Sequence, residues 1–120
     1  MTDPPVIAIV DDDASVRRAL RRLMHAAGYA VETFASAREF LEWLPRGPAA
    51  CLLLDVHLKE MSGFELQERI AVPVIFMTSH DDGVTRARID KSGAADHLWK
   101  PFDDHAILAA IRRVLSGRAE

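Results

Sequence analysis

Several features are scarce in this 120-residue chain, and each scarcity excludes something. There is one cysteine, Cys51, so no internal disulfide can form and a reducing setting fits. The ordinary role of such a residue is that of a small buried hydrophobe. No apolar run approaches the ~20 residues of a membrane-spanning helix, so no membrane contact is expected. The segment Met1-Thr2-Asp3-Pro4-Pro5 lacks the basic and apolar regions of a secretory signal, and a cytoplasmic location is the expectation. Basic residues are not in excess: 15 Lys and Arg stand against 18 Asp and Glu, a net charge of −3. That balance argues against direct contact with nucleic acid. Repeats, low-complexity tracts and linkers are missing as well.

What is present suits one compact domain over residues 1–120. The chain is 49% hydrophobic and 28% charged, a globular composition at a length that supports its own core. Val6-Ile7-Ala8-Ile9-Val10 is a continuous apolar run rich in β-branched residues, the pattern of a strand buried on both faces. From Ala14 to Ala27 the period is helical. Val16, Leu20, Leu23, Met24 and Ala27 share a stripe, and Arg17, Arg18, Arg21 and Arg22 are expected to face outward. Gly28 stops this helix. Tyr29 to Phe34 reads as a second strand, and Ser36 as the cap of a helix with Phe40, Leu41 and Leu44 inside. Pro45, Gly47 and Pro48 make a loop.

Leu52 to Asp55 is the third strand, an apolar run that stops on a carboxylate. Gly63 opens a short helix to about Ile70. Val74 to Met77 is the fourth strand, ending at Thr78. Asp81 to Lys91 reads as a helix with a thin apolar stripe. Asp96 to Trp99 is the fifth strand, ending at Lys100-Pro101. Asp103 or Asp104 then caps a last helix with Ile107, Leu108, Ile111, Val114 and Leu115 inside. Strands alternating with helices imply a parallel sheet covered on both faces, with ligands bound at the carboxyl ends of the strands.

That rim collects chemistry from distant parts of the chain. Strand one delivers Asp11, Asp12 and Asp13. Strand three delivers Asp55, strand four Thr78 and Ser79, and strand five Lys100. Taken singly, Asp13 is an N-cap, Thr78 a strand-end hydroxyl and Lys100 a surface charge. Taken together, they are a site. Crowded carboxylates repel and call for a cation. A few oxygen ligands suit Mg²⁺, with Mn²⁺ as a substitute. Lysine and threonine then serve the charge and the oxygens of a phosphoryl group, and an aspartate can be its covalent acceptor. The five histidines show no metal-ligand spacing. His25 and His105 read as surface residues.

In these segments the sequence resembles the receiver domains of bacterial two-component response regulators, the CheY-like group. The matching segments are Val10-Asp11-Asp12-Asp13, Leu54-Asp55-Val56, Met61-Ser62-Gly63, Val74-Ile75-Phe76-Met77-Thr78 and Lys100-Pro101-Phe102. Within the group, the run Cys51 to Val56 is most similar to receivers that precede a helix-turn-helix output domain. No such domain lies in these 120 residues. The resemblance implies a flavodoxin-like (βα)5 doubly wound fold with strand order 2-1-3-4-5. It implies that Asp55 takes a phosphoryl group from a phosphohistidine of a sensor histidine kinase, and that the domain dephosphorylates itself without turning over an external substrate. Asp12 and Asp55 would bind Mg²⁺ directly, Asp11 through water, and His57 through its backbone carbonyl. Lys100 and Thr78 would contact phosphoryl oxygens. His57 and His80 hold positions that tune phosphoryl lifetime. Thr78 and residue 97 form the switch that moves the face of helix four, strand five and helix five, controlling dimerisation, an output domain or a partner protein. The Lys100–Pro101 bond is expected to be cis.

Three departures from the family pattern stand out. The segment from Gly63 to Val74 is short, so the third helix is shortened to about two turns. Lys59 replaces the proline that usually follows Leu58. His97 stands where the switch residue is usually Tyr or Phe, which would make a switch at that position sensitive to pH. Three other readings fit parts of the pattern. A haloacid-dehalogenase-type phosphatase would use Asp11 as nucleophile in Asp11-x-Asp13, but it leaves Asp55 without a role. A receiver-like interaction module that is never phosphorylated would not need Asp11, Asp12, Asp55, Thr78 and Lys100 all intact. A flavodoxin shares the architecture, but its phosphate loop is not built of three carboxylates.

Overall fold

Each apolar run becomes a strand of one sheet. The structure is a computed structural model and describes residues 4–79 and 82–118. The strands are β1 (Val6–Val10), β2 (Ala30–Phe34), β3 (Cys51–Asp55), β4 (Val74–Thr78) and β5 (Asp96–Trp99). They form a sheet of order β2-β1-β3-β4-β5, with every adjacent pair parallel. The helices between and after them are α1 (Ala14–Ala26), α2 (Ala37–Trp43), α3 (Gly63–Glu68), α4 (Gly83–Ser92) and α5 (Asp104–Arg118). The flavodoxin-like expectation therefore holds in both order and direction.

The pleat divides the core in two. Ile7, Ile9, Cys51, Leu53, Ile75 and Met77 face α1 and α5, where they meet Leu20, Met24, Ile107 and Ile111. Ala8, Val10, Leu52, Leu54, Val74 and Phe76 face the other side, against Phe40, Phe64, Leu66 and Ile89. The three central strands β1, β3 and β4 are buried on both faces almost throughout, as strands between two helical layers must be. The edge strand β5 is half-buried along its length.

Several expected boundaries shift, each for a local reason. Tyr29 lies outside β2, because its N–H donates to the carbonyl of Met24 at 3.0 Å and closes the end of α1. Gly28 takes φ +91° there, a left-handed value that suits glycine. Ala27, placed by its period on the buried stripe, is the exposed C-cap residue. Helix α3 stops at Glu68, short of Ile70. The N–H groups of Arg69 and Ile70 reach back three residues, to Leu66 and Gln67, and Pro73 requires an extended residue before it. Helix α4 starts at Gly83 with Asp82 as its cap, the carboxylate accepting from the N–H of Thr85 at 2.7 Å. The expected start at Asp81 lies outside the described residues. Asp103, not Asp104, caps α5, accepting from the N–H of Ala106 at 2.7 Å.

Candidate functional site

The alternation that builds the two cores also builds the site. On the α1/α5 face the series Ile7, Ile9 continues to Asp11, and Cys51, Leu53 to Asp55. Leu98 likewise leads to Lys100. Three hydrophobic ladders thus end at the rim as two carboxylates and an ammonium. Lys100 Nζ lies 2.8 Å from Asp11 Oδ2 and 3.4 Å from Asp55 Oδ2. The Asp11 side chain is fully buried and that of Asp55 is 11% exposed. Buried carboxylates persist only when paired and hydrogen-bonded, and both are. Asp11 Oδ1 accepts from the N–H of Asp13 at 2.9 Å, and Asp55 Oδ1 from the N–H of His57 at 3.0 Å.

The loop that carries His57 is held by a close approach. The N–H of Gly63 donates to the carbonyl of Val56 at 2.9 Å. A Cβ on Gly63 would sit 2.7 Å from the backbone oxygen of Asp55, so no larger residue fits without displacing the strand end. On the far side, the N–H of Lys100 donates to the carbonyl of Thr78 at 2.7 Å, and the Lys100–Pro101 bond is cis.

Charge and burial set the protonation behaviour. Burial raises the Asp55 carboxyl above its ordinary range, and the negative charge of Asp11 adds to this. The N–H of His57 and the charge of Lys100 pull the other way without cancelling the rise. For Lys100, burial works against the ammonium, but the Asp11 hydrogen bond and the charges of Asp55 and Asp11 outweigh it and raise the pKa. Asp13 is exposed and lowered, chiefly by the hydroxyl of Ser15 at 2.8 Å.

The remaining candidate residues divide as follows. Asp12 is half-exposed on the rim. Oxygens of Asp11, Asp12 and Asp55 lie within 4.8 Å of one another, an all-carboxylate donor set that fits a hard divalent cation. Asp13 belongs to α1 as its N-cap, accepting from the N–H groups of Ser15 and Val16. The side chain of His57 is exposed, while its N–H braces Asp55. Thr78 is fully buried at the end of β4. His97 is half-buried on β5, on the face opposite Asp55 and Lys100, with its ring edge-on to Trp99 at 5.4 Å. His80 lies outside the described residues. Asp11 as a nucleophile is disfavoured, because its side chain is fully buried and closed to an incoming substrate, whereas that of Asp55 is partly exposed.

Two residues at or near the site were not singled out by periodicity. Arg17 does not face outward as expected. It is half-buried, and its guanidinium donates to the carbonyl of Asp11 at 2.7 Å. Its position one turn beyond the Asp13 cap is the signal that could have placed it. Trp99 is opposite Thr78 in the β4–β5 register, a pairing visible only once the strands are aligned.

Comparison with known proteins agrees with this geometry. The family described as response regulator receiver domain matches residues 7–112. The response regulator protein TodT of Pseudomonas putida is 40% identical over 115 residues, covering 92% of this chain and 51% of its own length. The transcriptional regulatory protein FixJ of Bradyrhizobium diazoefficiens is 35% identical, covering 96% of this chain and 58% of its own length. The chain thus spans little more than half of these relatives. The crystal structure of a response regulator receiver protein from Burkholderia phymatum superposes with a TM-score of 0.83 at 43% identity, covering 93% of this chain and 95% of that one. With a buried Asp–Lys–Asp cluster at the rim of a five-stranded parallel sheet, the chain belongs to the response regulator receiver domain family.

Proposed function

We propose that Asp55 is the phosphoryl acceptor of a two-component signalling pathway. The observation that carries this reading is the placement of Lys100 between Asp55 and Asp11, with Asp12 beside them. A sensor histidine kinase is the donor. The bond between phosphorus and the imidazole nitrogen of its phosphohistidine breaks as a bond from phosphorus to an Asp55 carboxylate oxygen forms. The freed imidazole nitrogen then takes up a proton from water. Asp12 and Asp55, with Asp11 through water and the carbonyl of His57, would hold Mg²⁺ or Mn²⁺. When bound, the ion supplies the positive charge that lets an anionic phosphoryl group approach a carboxylate.

The protein's own groups do the rest by position and charge. Lys100 stands against Asp55 and neutralises charge that gathers on the phosphoryl oxygens. The hydroxyl of Thr78 donates to one of them. His57 and His80, at the two sequence positions that tune phosphoryl lifetime in this family, set how fast water removes the group, so the domain resets itself. The output is a population shift of the α4–β5–α5 face that controls dimerisation, an output domain or a partner protein. Transcriptional control is the form of output proposed, since FixJ carries that name. A cytoplasmic location suits such a pathway. Among the described residues no helix is long and apolar enough to cross a membrane.

The test is phosphorylation by acetyl phosphate with Mg²⁺, read as the mass gained by the intact chain. The wild type is expected to gain one phosphoryl group, and Asp55→Asn none. Equal gain by both proteins would overturn the assignment.

A further inference from the structure

Helix α4 is poorly supplied with apolar side chains. Thr85 and Ile89 are its buried residues, and Val84 is largely exposed. Its seat on the domain includes two arginines laid over aromatic rings of neighbouring elements. Arg86 Cζ is 4.9 Å from the centroid of Trp99 on β5, and Arg88 Cζ is 4.3 Å from the centroid of Phe64 on α3. The helix also receives a hydrogen bond at its carboxyl end, from Gln67 Nε2 to the carbonyl of Ser92 at 3.1 Å. Cation–π contacts at partly exposed positions are individually weak. A helix seated in this way shifts more easily than one bound by a full hydrophobic stripe.

Of the two rings on this face of β5, Trp99 is closer to the site. It is paired in register with Thr78, whereas His97 is paired with Phe76, one pleat farther from the rim. The backbone of the next residue, Lys100, is bonded to Thr78. Trp99 is also the ring that an α4 arginine covers, while the His97 ring lies edge-on to Trp99. A rearrangement at Thr78 therefore meets Trp99 and Arg86 before it meets His97.

Resting on the phosphoacceptor reading above, we infer that Trp99, stacked under Arg86, is the positioning residue that couples Thr78 to α4 in this chain. His97 is a bystander that buttresses the tryptophan. The structural basis is the juxtaposition of Thr78, Trp99 and Arg86 along one line from rim to helix.

The experiment uses the full chain with Trp43→Phe, so that Trp99 is the sole emitter of its kind. Trp43 packs beside Phe34 and Phe40, where a phenyl ring is a mild replacement. Acetyl phosphate and Mg²⁺ are added, and the phosphorylated fraction and the Trp99 emission are read from the same sample. The inference expects emission to change in proportion to that fraction. With Arg86→Gln the change per phosphorylated molecule should fall by about twofold or more, with Arg86→Lys partly retaining it because the cation remains. His97→Ala should leave the change within about a third of its original size. Phosphorylation with unchanged emission would overturn the inference alone. So would loss of the signal in His97→Ala with retention in Arg86→Gln. Absence of phosphorylation would overturn the phosphoacceptor reading, and the inference with it.

Discussion

A Cβ on Gly63 would lie 2.7 Å from the backbone oxygen of Asp55. The same added atom would meet Val56 Cα at 3.0 Å and the Phe76 ring at 3.1 Å. Alanine is the better helix former by about 1 kcal/mol, but overpacking a tight site costs about 1–3 kcal/mol. Because two of the three contacts are backbone, the steric cost wins. Gly63→Ala should lose about 1–2 kcal/mol in urea unfolding. It should also slow phosphorylation, because the strand end carrying Asp55 must move. A variant at least as stable as wild type would show that the loop relaxes freely.

Asp55 is destabilising in its charged form. Burial, first, and the charge of Asp11 raise its carboxyl above the ordinary value of 3.8. Below 3.8 the group is protonated in both states and imposes no penalty. As pH rises from 3.8 through the raised native value, the folded state is penalised relative to the unfolded one. Asp55→Asn removes that penalty, and its amide oxygen can still accept from the N–H of His57. Without divalent ions, the variant should melt higher than wild type at pH 7, with the gap closing toward pH 4. A lower melting temperature at pH 7 would contradict this.

Lys100 has the opposite sign. Its raised pKa means that its contribution is complete below 10.5 and is lost as pH rises through the native value. Lys100→Met would strand the fully buried Asp11 and leave Asp55 without its counter-charge. Breaking a buried pair costs about 3–5 kcal/mol, and the partial exposure of Lys100 places the expected loss at about 3 kcal/mol. Chemical denaturation at pH 7 measures it. Phosphorylation should fall as well, whereas a purely structural lysine would leave it intact.

Asp13 separates the acidic residues by role. Its carboxylate caps α1, and its pKa is lowered, chiefly by the hydroxyl of Ser15. The stability it adds is present above 3.8 and lost as pH falls through the lowered value. Asp13→Ala should reduce the urea midpoint at pH 7 while phosphorylation of Asp55 stays within about twofold of wild type. Loss of phosphorylation equal to that of Asp55→Asn would place Asp13 in the site.

These behaviours were unevenly legible in the sequence. The runs Val6 to Val10 and Cys51 to Asp55 announce buried parallel strands, because strands covered on both faces carry unbroken apolar residues and these runs are too short for helices. The rule that ligands gather at strand carboxyl ends then brings Asp11, Asp12, Asp55, Thr78 and Lys100 to one rim. Beyond the other shifted element ends, three things at or near the site and the third helix escaped. Arg17 folds back onto the carbonyl of Asp11, which a helical-wheel argument assigns to solvent. The end of α3 is set by local three-residue turns before Pro73, not by hydrophobic period. Trp99 gains its place from the β4–β5 register and the arginine above it, and neither can be seen along a single strand.

The central claim is that Asp55 itself carries the phosphoryl group. Borohydride reduction of the chain after treatment with acetyl phosphate and Mg²⁺ converts an aspartyl phosphate to homoserine, and peptide sequencing by mass spectrometry locates it. Homoserine at position 55, with unmodified aspartate at 11, 12 and 13, is the predicted result. Homoserine at position 11 or 12, or none at position 55 in a chain that has gained a phosphoryl group, would contradict it.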